Sequence, residues 1–344
     1  MSSKQINIFL TGASGYIGGS ILTSLLRHSN VSNFKITTLI RGDESRVKKL
    51  ASLGVTVLIG WNDSHDIIEN AASESHVVIH TADSTANMPA VQSIIAGLNR
   101  RIQTTSQPAI YIHTSGAGIV GEDTRGEKGS TKVYSDLDPD QISNLPNENI
   151  VQKISLFIIN AAQANPQLKT GIGTGLFNRT SVQLPLLIRT ALKRGKLETV
   201  GSGYATWNNV HIADLVDGYI ILLDELLVVY GSDATSDVKF NPYLTTGPEG
   251  YYFAENGHNS WRELAENIGK VFQKKGLIKS TDITSFPDNE VESVLMGPFS
   301  WFLLGNQTNG KADRLRKLSW HPHRPSLLDC FEEEVNAVMN EVKN

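Results

Sequence analysis

Thr11-Gly12-Ala13-Ser14-Gly15-Tyr16-Ile17-Gly18 sits between a short apolar run, Ile6–Leu10, and a segment in which Ile17, Ile21, Leu22, Leu25 and Leu26 recur at helical spacing. The run reads as a buried strand and Tyr16–His28 as the helix that follows it. Glycine at 12 permits a tight turn, glycine at 15 lets backbone N–H groups approach a pyrophosphate, and glycine at 18 lets the helix pack close to the strand. The start of the helix offers N–H groups and a partial positive charge to phosphate. A glycine triplet alone is weak evidence. The strand before it and the helix after it are the context that makes Gly12, Ser14, Gly15, Tyr16, Ile17 and Gly18 a candidate dinucleotide-binding segment.

Working outward, strand and helix patterns alternate. Strands are expected at 35–40, 55–59, 77–80 and 109–113, and helices at 44–53, 63–74 and 90–104. Such repeats imply a parallel sheet covered on both faces, with right-handed crossovers. Residues 116–145 are rich in Gly, Asp, Ser and Thr without clear period, and read as a long functional loop, a lid or a cleft wall. Beyond it the expectation is a helix at 147–164, a strand at 169–176 and a helix at 184–193. A strand and helix follow within 210–227, then a short strand at 251–254 and a mostly helical remainder from 260. No internal repeat is visible.

The 344 residues carry 31 Lys and Arg against 35 Asp and Glu, a formal net charge of −4. That balance gives no reason to expect nucleic acid or an anionic membrane as partner. At 40% hydrophobic and 19% charged residues the chain is expected to fold around a large core. Its single cysteine, Cys330, excludes an intramolecular disulfide and suits a reducing compartment. No secretory leader or membrane span is read, so the expected location is cytoplasmic. The partner is expected to be a small molecule.

The second strand ends in Leu39-Ile40-Arg41-Gly42. An NAD-preferring site would place a carboxylate there for the ribose hydroxyls, whereas Arg41 suits a 2′-phosphate. NADP(H) is therefore expected over NAD(H).

Five motifs in order resemble the extended short-chain dehydrogenase/reductase family, in the branch of sugar-nucleotide epimerases and dihydroflavonol-type reductases. They are the glycine segment, Ile79-His80-Thr81-Ala82 beside the cofactor, Ile112-His113-Thr114-Ser115-Gly116 through Gly121, Trp207-Asn208-Asn209-Val210-His211-Ile212-Ala213-Asp214-Leu215, and Leu315-Arg316-Lys317-Leu318-Ser319-Trp320-His321-Pro322. The resemblance implies a doubly wound α/β fold of Rossmann type with a smaller, discontinuous C-terminal substrate-binding region. It places the dinucleotide-binding domain at 1–176 and 206–254 and the substrate region at 177–205 and 255–344. It also implies that Thr81 and Ala82 lie at the cofactor, and that the chain pairs as a homodimer through helices.

The family's acid/base device is a serine with a tyrosine and a lysine four residues apart on one helix. The lysine charge lowers the phenol pKa, and the serine hydrogen-bonds the reacting oxygen. Here Lys153 is retained, but Asn149 stands where the tyrosine is expected, and Asn is no proton source near neutral pH. The usual serine position falls on Gly116, with Ser115 and Thr114 just before it. Trp61 replaces the usual adenine-contacting aspartate, with Asp63 two residues on. The loop after the sixth strand reads Gly175-Leu176-Phe177-Asn178-Arg179-Thr180 in place of the family's proline-containing segment. The catalytic candidates are thus Ser115, Lys153, Asn149 and Tyr134, with Tyr204 and His211 as further proton sources. Candidate cofactor residues beyond the glycine segment are Arg41, Asp63, Thr81, Ala82 and Lys153. No metal site is expected, since His321 and His323 lack a third ligand nearby. A reductase or dehydrogenase for a small organic carbonyl or alcohol leads. A non-redox isomerase, cyclase or lyase and a cofactor-sensing binding protein remain as alternatives.

Overall fold

A computed structural model describes residues 5–146, 150–174, 182–231 and 241–343. The first half alternates as the pattern predicts: β1 (Ile6–Thr11), α1 (Tyr16–Leu25), β2 (Phe34–Ile40), α2 (Glu44–Ser52), β3 (Thr56–Ile59), α3 (His65–Ser73), β4 (Val77–His80), α4 (Met88–Thr105) and β5 (Ala109–Ser115). A helix at Ile150–Ala164 then leads to a sixth sheet strand, Leu168–Thr174. The six strands form one parallel sheet in the order β3-β2-β1-β4-β5 and then Leu168–Thr174. The order reverses between β1 and β4. In open sheets of this kind a ligand crevice lies at that point, outside the carboxyl ends of the strands.

Side chains alternate across each strand, so every strand feeds two cores. On one face Ile8, Leu10, Ile36, Ile79 and Ile112 pack against α1 and against Leu215, Tyr219 and Leu222 of the helix Ile212–Tyr230. On the other, Phe9, Val78 and Tyr111 pack against Ile68 of α3, Ile94 of α4 and Ile154 and Ile158 of the helix Ile150–Ala164. Each such fully buried side chain contributes about 1.5–3 kcal/mol relative to exposure.

A third core builds a second lobe. Leu187 and Ile188 of the helix Gln183–Arg194, Leu264, Ile268 and Phe272 of the helix Trp261–Lys274, and Val335 of the helix Phe331–Lys343 meet there. Residues 312–320 fall within the stretch expected to belong with that lobe. Leu315, Leu318 and Trp320 instead join the first core, beside the helix Ile212–Tyr230. The Trp320 indole donates to the Asp214 carbonyl at 2.6 Å, and the buried Asp214 carboxylate accepts the N–H groups of His323 and Arg324 at 3.2 and 3.1 Å.

The long loop is a fixed wall. Glu122–Asp123 pairs antiparallel with Asn306–Gln307, and Tyr134–Ser135 pairs parallel with Gly310–Lys311. Buried Asp136 accepts the backbone N–H groups of Phe253 and Arg314, both at 2.8 Å. Gly126, at φ +89°, crosses so close to the 200–201 backbone that a Cβ would lie 1.9 Å from the Val200 carbonyl oxygen. A short helix, Pro139–Ser143, also forms within the loop.

The expected strand at 251–254 is an extended, buried segment instead, with only a single bridge at Tyr251. Its Phe253 N–H goes to the Asp136 carboxylate, which takes the place of a neighbouring strand. Among the described residues no helix is long and apolar enough to cross a membrane.

Candidate cofactor and substrate site

The glycine loop is shaped by close approach. Gly12 has φ +75°, and a Cβ there would fall 2.4 Å from the Thr81 hydroxyl oxygen. At Gly18 a Cβ would fall 2.3 Å from the Gly12 carbonyl oxygen and 2.5 Å from the Thr81 hydroxyl. The Gly15 N–H closes the turn onto the Gly12 carbonyl at 2.8 Å. Gly15 then caps α1 with no side-chain cap. The first-turn N–H groups at Tyr16, Ile17 and Gly18 have no intrahelical acceptor, which is how helices hold phosphate. Ser14 is exposed at the loop tip, whereas the Ile17 side chain is buried in the core and offers only its backbone. The loop fits a pyrophosphate.

Thr81 supports the loop from below. Its hydroxyl donates to the Thr11 carbonyl at 2.7 Å, while the Thr81 and Ala82 N–H groups reach the Thr11 hydroxyl at 3.1 and 3.2 Å. That same hydroxyl lies 2.7 Å from His80 Nδ1. The His80 ring lies 5.5 Å from that of His113, whose Nδ1 meets the Tyr111 hydroxyl at 3.0 Å. Burial disfavours the charged form of both imidazoles: it drives the His80 pKa down to about 3 and lowers that of His113, where a second proton beside His80 would be repelled as well. These rings pin the ends of β1, β4 and β5 under the loop.

At the end of β2 the Arg41 guanidinium lies 5.7 Å from the Trp61 ring centroid, within cation–π reach. Trp61 is 60% exposed, and Arg41 makes no ion pair among the described residues. Asp63 is exposed close by. A flat aromatic face beside an uncommitted guanidinium fits an adenine and a ribose phosphate.

A cavity of about 480 Å³ opens between the two lobes. Tyr16 and Gly116 line it from the sheet edge, Trp207 and His211 from the middle segment, and Leu327 and Glu334 from the C-terminal region. His211 caps the helix Ile212–Tyr230, its Nδ1 accepting the Ala213 N–H at 3.1 Å. In the neutral ring the proton therefore sits on Nε2. The Tyr16 phenol is pushed up to about 12, by burial first and then by the Glu334 charge. Burial and the charges of Glu333, Glu334 and Asp329 push the Cys330 thiol up, which disfavours the thiolate a nucleophile needs. The Glu255 carboxylate in the wall is paired with Arg316 at 2.6 Å.

The expected catalytic residues do not converge on this cavity. Ser115 is buried with its hydroxyl 3.3 Å from that of Ser155, on the opposite sheet face from Thr114, which bonds the Tyr219 hydroxyl at 2.6 Å. Gly116 lines the cavity where the family's serine would stand. Lys153 is exposed on its helix, and neither it nor Tyr134 lines the cavity. Tyr134 lies under the Lys132 ammonium at 4.6 Å, and Tyr204 under the Arg262 guanidinium at 5.4 Å. Asn149 and the loop residues 175–180 lie outside the described residues. Of the proton sources considered, His211 is the one in the cavity wall. His323 approaches Asp214 and Asp217, but the Asp214 carboxylate already serves two backbone N–H groups.

Tyr16 as a wall residue, Glu255 and Glu334 were missed from sequence. Glu334 lies in the first turn of the last helix, which brings it to the cavity.

Residues 3–97 match the NmrA-like family. The oxidase ucsJ of an Acremonium species is 29% identical over 342 residues, spanning 94% of this chain and 95% of its own. An uncharacterised protein of Saccharomyces cerevisiae is 22% identical, over 94% and 97% of the two chains. Among solved structures, the dTDP-glucose 4,6-dehydratase DesIV of Streptomyces venezuelae, with NAD bound, superposes with a TM-score of 0.67 at 14% identity, over 98% and 97% of the chains. The UDP-glucuronic acid 4-epimerase of Bacillus cereus, in complex with UDP-glucuronic acid and NAD, gives 0.62 at 16%, over 98% and 100%.

Proposed function

We propose that this chain, which has the fold of the NAD-dependent epimerase/dehydratase proteins of the extended short-chain dehydrogenase/reductase type, is an NADP(H)-dependent oxidoreductase for a small organic carbonyl or alcohol. The observation that carries the reading is the start of α1: its N–H groups are left without a side-chain cap behind the glycine turn, Tyr16 of its first turn lines the cavity together with His211, and Arg41 beside Trp61 stands at the end of the neighbouring strand β2. The NAD bound by the two structural neighbours and the oxidase relative support it.

In this reading the α1 N-terminus holds the pyrophosphate, and Arg41 takes the 2′-phosphate with Trp61 against the adenine. A nicotinamide cofactor, when bound, would supply or accept the hydride at the substrate carbon. His211 holds a proton at Nε2 facing the cavity and hydrogen-bonds the substrate oxygen, in place of the tyrosine that Asn149 replaces. The apolar wall excludes water from that oxygen, which strengthens the bond.

A second reading, a non-redox isomerase or lyase on the same scaffold, is favoured by the placement of Ser115 and Lys153 outside the cavity wall. One experiment separates the two. The protein is titrated with NADPH and NADH while tryptophan fluorescence is followed, then incubated with NADPH and a panel of ketones and aldehydes. Tighter NADPH binding and substrate-dependent NADPH oxidation are expected. Bound NADPH that is never consumed while product forms would replace the first reading with the second. Failure of both nucleotides to bind would remove both.

A further inference from the structure

The cavity wall has a charge signature of its own. No lysine or arginine lines it among the described residues, although the chain carries 31 of them. Two carboxylates do. Glu255 is neutralised by Arg316, by the Ala312 N–H at 3.2 Å and by the Gly257 N–H at 3.2 Å. Glu334 makes no ion pair among the described residues, and its charge is felt by both Tyr16 and Cys330. The rest of the wall joins apolar side chains, Trp207 and Trp261 6.2 Å apart with Leu264 and Leu327, to uncharged amides, of which Gln183, Asn208, Asn209 and Asn259 already bond within the protein.

A phosphate or diphosphate entering such a space would lose its hydration, gain no cation and face an unpaired carboxylate. Desolvating an uncompensated charge is far costlier than any apolar contact repays. A flat apolar molecule fits the paired indoles, and an ammonium or a hydrogen-bond donor fits Glu334.

Resting on the oxidoreductase reading above, we infer that the substrate is an apolar, ring-bearing carbonyl or alcohol that is uncharged or carries an amine, read by Glu334, and that it carries no phosphate or carboxylate. A nucleoside-diphosphate sugar, the substrate class in the names of the two structural neighbours, would find no lysine or arginine for its diphosphate among the described wall residues. The acidic first turn of the last helix also includes Glu332 and Glu333, and carboxylates there favour the helix dipole. Only Glu334 of the three lines the cavity. Its role in selection is therefore separable from a helix-end role.

The test uses binding, read by quenching of Trp207 and Trp261, so it does not depend on turnover. The probes are a matched series: 4-(aminomethyl)acetophenone, 4-methylacetophenone and 4-acetylbenzoate, with UDP-glucose as the nucleotide sugar, each added to protein saturated with NADPH. The amine is expected to bind about tenfold more tightly than the carboxylate, the factor for about 1.4 kcal/mol, with the neutral ketone between them. UDP-glucose should not quench. Glu334→Gln should erase the preference for the amine, Glu334→Lys should reverse the order, and Glu333→Gln should leave it as it was. Equal affinities across the series, no binding by the neutral and amine probes, tightest binding by the carboxylate, or quenching by UDP-glucose would each overturn the inference. NADPH oxidation is read in parallel. The expected binding order without oxidation counts against the redox chemistry alone, and oxidation with the opposite order counts against the substrate class alone.

Discussion

Gly18 packs onto Gly12 so tightly that a methyl group at position 18 would lie 2.3 Å from the Gly12 carbonyl oxygen. This contact presses the start of α1 against the end of β1 and sets the distance between the helix N–H groups and a bound phosphate. Gly18→Ala must therefore push the helix away. Overpacking of this kind costs about 1–3 kcal/mol. A lower Tm and weaker NADPH affinity are expected together, from a thermal melt and a fluorescence titration. An unchanged titration would show that α1 is not the phosphate anchor.

Arg41 projects beside Trp61 with no acidic partner among the described residues. Arg41→Ala should weaken NADPH roughly tenfold to a hundredfold, the value of a charge-assisted contact, and NADH far less. The ratio of the two dissociation constants is the measurement. An equal loss for both nucleotides would take the 2′-phosphate away from this residue.

His211 caps a helix with its Nδ1 and lines the cavity. Asn also caps helices well, so His211→Asn should keep the fold and the NADPH affinity. It should lower kcat roughly 10²–10⁴-fold, as expected for loss of a proton-transfer group. A full-rate variant would assign the proton to another group.

Acid stability has two opposed contributors. His80 titrates near 6.5 when unfolded and near 3 when folded, because burial disfavours its charge. Its contribution is complete above pH 6.5 and is lost as pH falls toward 3, at about 1.4 kcal/mol per pH unit. His113, lowered by burial and by His80, adds in the same direction. Asp136 runs the other way. Burial pushes it from 3.8 up to about 7, so its contribution is present at low pH and is lost as pH rises through that window. Asp136→Asn should remove the opposing slope and make the loss of stability on acidification steeper between pH 4 and 6.5. Denaturant unfolding across that range measures it, and parallel profiles for variant and parent would contradict the protonation states assigned.

Much of the sheet was legible because its signals are local. The glycine segment lies within eight residues, and each strand of the first half is a short stretch rich in apolar and β-branched residues. What holds the loop 116–145 in place was not legible. The residues that hold it, 306–307, 310–311 and 314, are distant in sequence, and two-residue strands carry no period. The strand at 251–254 failed for a related reason: an apolar run buried against a carboxylate looks the same, locally, as one buried in a sheet.

The sequence by itself determined the parallel sheet and the glycine turn between β1 and α1, because each depends on neighbours along the chain. Tertiary structure alone decided what lines the cavity. Strand alternation turns Ser115 toward Ser155 and leaves Gly116 at the cavity, while the last helix brings Glu334 near Tyr16, from 318 residues away. A cavity's charge is the sum over groups that meet only when the chain is folded, and here the described wall includes no cation.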